Sequence, residues 1–260
     1  MKGVAAIVRA NLGRMASKIL LEGPPGASKT SFGEFLAGYF SARYFELNFT
    51  SSMRAEELLY TIAVAPGNQV VYRKSALWEA FEASREGPVV LVLDEVDKAR
   101  ERAEELLLRA LERYRFQDPW GNVIRGRQEN LVVVATSNRK RELMEPTLRR
   151  FPLRLQVGFP DQATQREIIA ACLPEGFTVS QGVLDLLVRI ATLLRKADPN
   201  KAPSYQELAL LAWNARCLFE AGISDEEAKE ILNGGLWKNG DFPGLPFNWV
   251  RALRKELARD

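Results

Sequence analysis

The segment that most constrains this chain is GPPGASKTS at residues 23–31, set between a short apolar run at 19–21 and a stretch with helical period. Over 29–39 the apolar residues Phe32, Phe35, Leu36 and Tyr39, with Phe40 next, fall on one helix face. A strand that turns through glycines into a helix presents backbone N–H groups and the positive helix end to an anion, and a lysine there neutralises β- and γ-phosphate oxygens. On this reading Gly23, Pro24, Pro25, Gly26, Ala27, Ser28, Lys29, Thr30 and Ser31 form a nucleotide-binding loop. Lys29 is its cation and the Thr30 hydroxyl is a ligand for Mg²⁺. Gly23 and Gly26 permit a close backbone approach. Ser28 stands where the general pattern has glycine, which weakens the loop if that position needs a left-handed backbone.

Four more β-rich runs follow, at 44–49, 89–93, 131–135 and 153–157, separated by segments of helical period such as 101–114. Alternation of this kind predicts a parallel sheet with helices on both faces. Past Pro160 the strand signals stop. Asp161, Ser180, Ser204 and Ser224 each open a helical pattern, with SYQE and SDEE reading as capping boxes. The expected architecture is an α/β P-loop fold: a three-layer αβα parallel-sheet domain over 1–158 and a smaller C-terminal all-α lid over 159–222. Residues 223–260 form an extension containing the Gly/Pro/Trp-rich stretch GGLWKNGDFPGLPFNW.

The run VVLVLDEVDK ends a strand in two acids. Ligands of parallel sheets gather at the carboxyl ends of strands, so Asp94 is the candidate second Mg²⁺ ligand and Glu95 the base that orients and deprotonates water. Asp97 is expected to face solvent or cap the next helix.

Histidine is absent, which removes histidine acid–base chemistry and histidine metal sites. The two cysteines, Cys172 and Cys217, lack metal-site spacing and read as buried free thiols. A net charge of +3 does not by itself imply a nucleic-acid partner. The longest strongly apolar run, 89–93, is far short of the roughly 20 residues that span a bilayer. The first ten residues lack a secretory pattern, so a cytoplasmic location is expected.

In order, GPPGASKT, LVLDEVDK, VVVATSN and EPTLRRF resemble the AAA+ ATPases, over roughly residues 15–222. Within that family the chain looks most like the MoxR-type branch, whose loop often carries Ala or Ser before the lysine and whose lid has a segment similar to KAPSYQEL at 201–208. The resemblance implies ATP with Mg²⁺ as bound groups. It makes Asn138 the polar sensor of the γ-phosphate or the attacking water, and Arg149 or Arg150 a finger that reaches the neighbouring subunit's site. Catalysis then involves Glu95, Lys29, Asn138 and one of those arginines in a homo-oligomer, a ring of six. Gln206 stands where an arginine often senses nucleotide.

The branch further implies a chaperone-like ATPase acting on a protein that carries a von Willebrand factor A domain. A nucleic-acid motor or loader is the alternative, allowed by the basic clusters at 139–141 and 251–255, and a nucleotide-dependent assembly switch is a third reading. Two insertions fit the branch: a P-G turn within 64–72 that interrupts the second helical region, and a hairpin at 115–125 with PWGN at its tip. Trp120 either faces a substrate or folds back onto its own hairpin.

Overall fold

A computed structural model of the protein describes residues 2–66, 68–238 and 241–259. They form two compact units, Met1–Gly23 with Ser28–Val157, and Pro24–Ala27 with Gly158–Asp260.

The first unit contains helices α1 (Lys2–Asn11), α2 (Ser31–Phe40), α3 (Ala76–Ala83), α4 (Glu101–Arg113) and α5 (Glu145–Arg150). Its strands are β1 (Ser17–Glu22), β2 (Arg43–Asn48), β3 (Tyr60–Ala65), β4 (Gln69–Lys74), β5 (Val89–Asp94), β6 (Arg115–Gln117), β7 (Val123–Arg125), β8 (Leu131–Ser137) and β9 (Leu153–Gln156). Five of them make a parallel sheet in the order β2-β5-β8-β1-β9. Side chains alternate across it as the pleat requires. Leu91, Leu93 and Val133 enter one core with α3 and α4, while Val90, Val92 and Val134 enter a second with α1 and α2. Burial on both faces explains why the β5 and β8 sequences are continuously apolar instead of alternating.

The order places the functional ends. After β1 the chain crosses over β8 and β5 to the far edge at β2. The register aligns Glu22 with Ser137 and Asn48 with Asp94, so β1, β5 and β8 end on one side of the sheet, and the loop after β1 leaves from that side. Gly33, on α2, packs so closely that a Cβ would lie 2.2 Å from Val92 Cγ2; glycine there lets the helix lie down on β5.

The region before α3 differs from the expected interrupted helix. Residues 60–65 and 69–74 pair as an antiparallel hairpin, because Tyr60, Ile62 and Val64, then Val70 and Tyr72, repeat with period two. Gly67 of the P-G turn lies outside the described residues. The second hairpin forms as expected, with Arg115 opposite Arg125. Its Trp120 does not fold back: it stacks edge-on against Tyr72 of the first hairpin at 4.9 Å and stays largely exposed, and Tyr72 in turn meets Tyr60 at 5.5 Å.

The second unit holds α6 (Gln162–Ala171), α7 (Gln181–Ala197), α8 (Tyr205–Glu220), α9 (Asp225–Leu236) and α10 (Trp249–Leu257). One apolar core joins them, with Leu187 and Leu194 of α7, Leu208 and Ala212 of α8, Leu232 of α9, and Trp249 and Leu253 of α10. The tail helices α9 and α10 therefore share the core of α7 and α8. In the stretch between them, 239 and 240 lie outside the described residues. Ser204 accepts from Glu207 N at 3.3 Å while Glu207 accepts from Ser204 N at 2.6 Å, the reciprocal box expected of SYQE. Asp161 and Ser224 cap α6 and α9 through Thr164 N and Glu227 N.

Cys217 departs from expectation. The period of α8 turns Leu208, Leu211, Ala212 and Ala215 inward and leaves this thiol exposed, and Cys172 is half-buried. No helix among the described residues is long and apolar enough to cross a membrane.

Candidate active site

The site begins where β1 runs out. Gly23 N still donates to Ser137 O at 3.1 Å, and Val157 N donates to Glu22 O at 2.7 Å, so backbone presses on the loop from both sides. A Cβ on Gly23 would lie 2.0 Å from Val157 O, which no side chain tolerates. The chain then passes through left-handed backbone at Gly26 (φ 74°) and again at Ser28 (φ 56°). The position of Ser28 thus needs the conformation that glycine adopts freely. A side chain there costs about 1–2 kcal/mol, and Ser28→Gly is expected to raise stability by about 1 kcal/mol, read as a higher midpoint in urea unfolding.

Ser31 opens α2 from an exposed position, and Ala27 is buried. Lys29 is nearly inaccessible, at 6% exposure. Its ammonium donates to Gly23 O at 2.9 Å and to Asn138 Oδ1 at 2.7 Å. Burial pushes its pKa down, opposed by the nearby charges of Asp94, Asp97 and Glu95. A cation held in a dry pocket gains most from an anionic ligand.

Thr30 Oγ1 donates to Asp94 Oδ1 at 2.9 Å, and Thr136 Oγ1, on β8, donates to the same oxygen at 2.5 Å. Thr136 also accepts from Glu95 N at 2.9 Å. In an extended strand consecutive side chains point to opposite faces. Glu95 escapes that alternation because its backbone is left-handed (φ 56°) and leads into a 3-10 turn over Val96–Lys98. Its Oε1 accepts from Asn138 Nδ2 at 2.7 Å, and its Oε2 pairs with the Lys98 ammonium.

Asn138 therefore bridges the phosphate-loop cation and the acid after β5. The structure brings together Lys29, Thr30, Asp94, Glu95 and Asn138, all expected from sequence. Thr136, which ties Asp94 to Glu95, was not; its only signal was the threonine within VVVATSN.

Asp97 corrects the reading that sent it to solvent or to a helix cap. It is buried, and its oxygens accept from Asn138 N at 3.2 Å and Lys140 N at 2.9 Å. The 3-10 turn after Glu95 points the carboxylate inward, where it fixes the backbone that follows β8. Asp97→Ala would orphan two amides, each costing about 1–3 kcal/mol when buried. It is expected to lower stability by about 2 kcal/mol and to reduce turnover, both measurable on the purified protein.

The two arginines lie elsewhere. β9 begins at Leu153 opposite Ile19, near the start of β1. Arg150, just before it, pairs with Glu112 at 2.7 Å and adds repulsion at Lys18, whose ammonium donates to Leu111 O at 2.8 Å. The phosphate loop leaves β1 from its other end, about 10 Å further along at the rise of a strand. Arg149 is exposed and meets only Glu145, one turn back, at 2.5 Å among the ion pairs of the described residues. Gln206 sits exposed in the first turn of α8.

The donor set fits a magnesium nucleotide. Thr30 and Asp94 offer hard oxygens side by side, the Gly23 position has no room for a side chain, and a buried lysine closes the group.

Residues 18–151 match the AAA domain family in its dynein-related subfamily. Spastin from Anopheles gambiae is 32% identical over 249 residues, 94% of this chain but 27% of that protein. Fidgetin-like protein 1 from Caenorhabditis briggsae is 30% identical over 154 residues, 58% of this chain and 24% of that protein. The chain thus spans about a quarter of the length of these two relatives. A mutant RuvB from Thermotoga maritima superposes with a TM-score of 0.58 at 17% identity, over 88% of this chain and 67% of that one, and so shares the fold. On the family match and the geometry it explains, the chain belongs to the dynein-related AAA domains, a family of ATP hydrolases.

Proposed function

We propose that the protein binds ATP with Mg²⁺, hydrolyses it in a ring of copies, and uses the cycle to remodel a protein partner. The observation that carries this reading is the separation just described. The hydrolytic group gathers at the carboxyl ends of β1, β5 and β8, while Arg149 is presented from the opposite end of the sheet. An arginine so placed serves the site of another copy, which makes the oligomer the catalytic unit.

Within one site each residue has a role its surroundings support. Lys29 binds β- and γ-phosphate oxygens, gaining the anionic partner its burial favours. Thr30 and Asp94 would hold Mg²⁺, which when bound neutralises phosphate charge. Glu95 takes the proton of the attacking water. Asn138 and Lys98 fix its two oxygens, and each oxygen keeps a lone pair for water. Asn138 also orients Lys29, so one side chain registers both phosphate and base.

The finer reading, a MoxR-type ATPase acting on a von Willebrand factor A protein, is supported by Ser28 and the segment 201–208. The nucleic-acid alternative loses ground because its basic clusters are partly neutralised: Arg139 meets Glu22 at 3.6 Å, Arg141 meets Glu104 at 2.6 Å and Arg254 meets Asp225 at 2.6 Å. Turnover is expected to rise with a purified von Willebrand factor A domain protein and to ignore single- or double-stranded DNA. Stimulation by DNA alone, with salt-sensitive binding, would reverse the choice.

A further inference from the structure

Glu104 is a carboxylate that the hydrolytic chemistry does not use, yet it is 1% exposed in the first turn of α4. It accepts from Arg141 Nη2 at 2.6 Å, from Met144 N at 2.9 Å, and from the Thr147 hydroxyl. Met144 is the residue before α5, and Thr147, itself buried, lies within it. The neighbouring tethers run the same way. Lys140 N reaches Asp97 at 2.9 Å, and Arg141 Nη2 also reaches Ala99 O at 2.9 Å. At the far end of α5, Arg150 is held by Glu112 of α4 at 2.7 Å. The short helix that carries Arg149 is therefore clamped at both ends to one longer helix, and α4 itself starts just after Glu95 and Asp97.

We infer that Glu104 is the positioning residue for the arginine finger: it sets α5 so that Arg149 reaches the adjacent copy's site, with Arg150 acting as the second anchor. This assignment rests on the ring reading given above. It also divides labour within the pair, because Arg149 is exposed (73% of its side chain) while Arg150 is half that and bound to α4. A carboxylate this buried forces its partners into one arrangement, since any other leaves a charge unpaired in a dry core.

The inference predicts a defect of a particular kind: a Glu104 variant fails as donor of the finger, while its own phosphate loop and base remain intact. Glu104→Gln keeps an acceptor oxygen for Thr147 and Met144 but loses the charge that holds Arg141. Alone it is expected to lose about 10-fold or more in kcat, as for a misplaced catalytic group, with KM for ATP unchanged.

Equimolar mixtures then locate the defect. Glu95→Gln subunits have no base but an intact finger; Arg149→Ala subunits have the reverse. Mixing these two is the control, and random assembly leaves about a quarter of interfaces productive in a closed ring, so activity should return to about that share of wild type. If it stays at the floor, the ring reading falls and this inference with it.

With the control positive, Glu104→Gln mixed with Glu95→Gln should recover likewise, and Glu104→Gln mixed with Arg149→Ala should not. Recovery in the second mixture, no recovery in the first, or full activity of Glu104→Gln alone overturns the inference while the ring reading stands. Should Glu104→Gln fail to fold, Thr147→Val removes one contact from the other side and is judged by the same mixtures.

Discussion

Glu95→Gln is expected to lower ATP turnover by about 100-fold or more while ATP stays bound. Glutamine keeps the shape and one acceptor oxygen, which can still meet the Asn138 amide, while its NH2 group cannot accept from Lys98; the Asn138 contact is then the one that holds the loop after β5. What is lost is a basic oxygen able to take a proton. Under the proposed function nucleotide affinity depends on Lys29, Thr30 and the loop backbone, whose hydrogen bonds run to Gly23, Asn138 and Asp94. A single-turnover measurement separates the two effects: labelled ATP should co-purify with the variant and release phosphate slowly. Unchanged turnover would remove Glu95 as the base and direct attention to Asp97, the next acid in the same turn, although its oxygens already serve two backbone amides.

The parts of this site that sequence made legible are those set by local rules. Lys29 and Thr30 follow from the spacing of a loop between a strand and a helix, and Asp94 and Glu95 from acids at the end of a buried run. The five-stranded parallel sheet followed from apolar runs separated by helical period, because burial on both faces leaves that pattern in the residues themselves.

What stayed hidden depends on contacts remote in the chain. Asp97 reads as a polar turn residue until β8 lies beside β5 and brings the amides of Asn138 and Lys140 to it. Thr136 follows a run of five apolar residues in β8, and its role exists only because β5 ends next to it. Ser28 could be recognised as a departure from glycine, but its left-handed backbone is a property of the folded loop. The hairpin at 60–74 departs from the expected interrupted helix for another reason: the period-two alternation of Ile62, Val64, Val70 and Tyr72 overrides its helical neighbourhood. Trp120 could not be placed from sequence, because its partner Tyr72 lies on another hairpin.

Arg149→Ala is expected to cost about 10³-fold or more in kcat with little change in thermal midpoint, since the side chain is exposed and its ion pair with Glu145 is a surface contact worth little. Arg150→Ala should behave in the opposite way. Removing it frees Glu112 and releases the end of α5 from α4, which outweighs the repulsion relieved at Lys18, so the midpoint falls and activity declines only as far as α5 shifts. The two variants thus distinguish a residue that acts on the nucleotide from one that supports it. Arg149→Lys is expected to restore little, because a lysine offers a point charge where the developing phosphate charge is met by a planar fork of donors. ATP affinity of the Arg149→Ala protein should match wild type when the copies are diluted apart, because under the proposed function this arginine serves the nucleotide of another copy. An Arg149 variant with weakened ATP binding in the dispersed state would show that the arginine acts within its own chain, and the requirement for a ring would disappear.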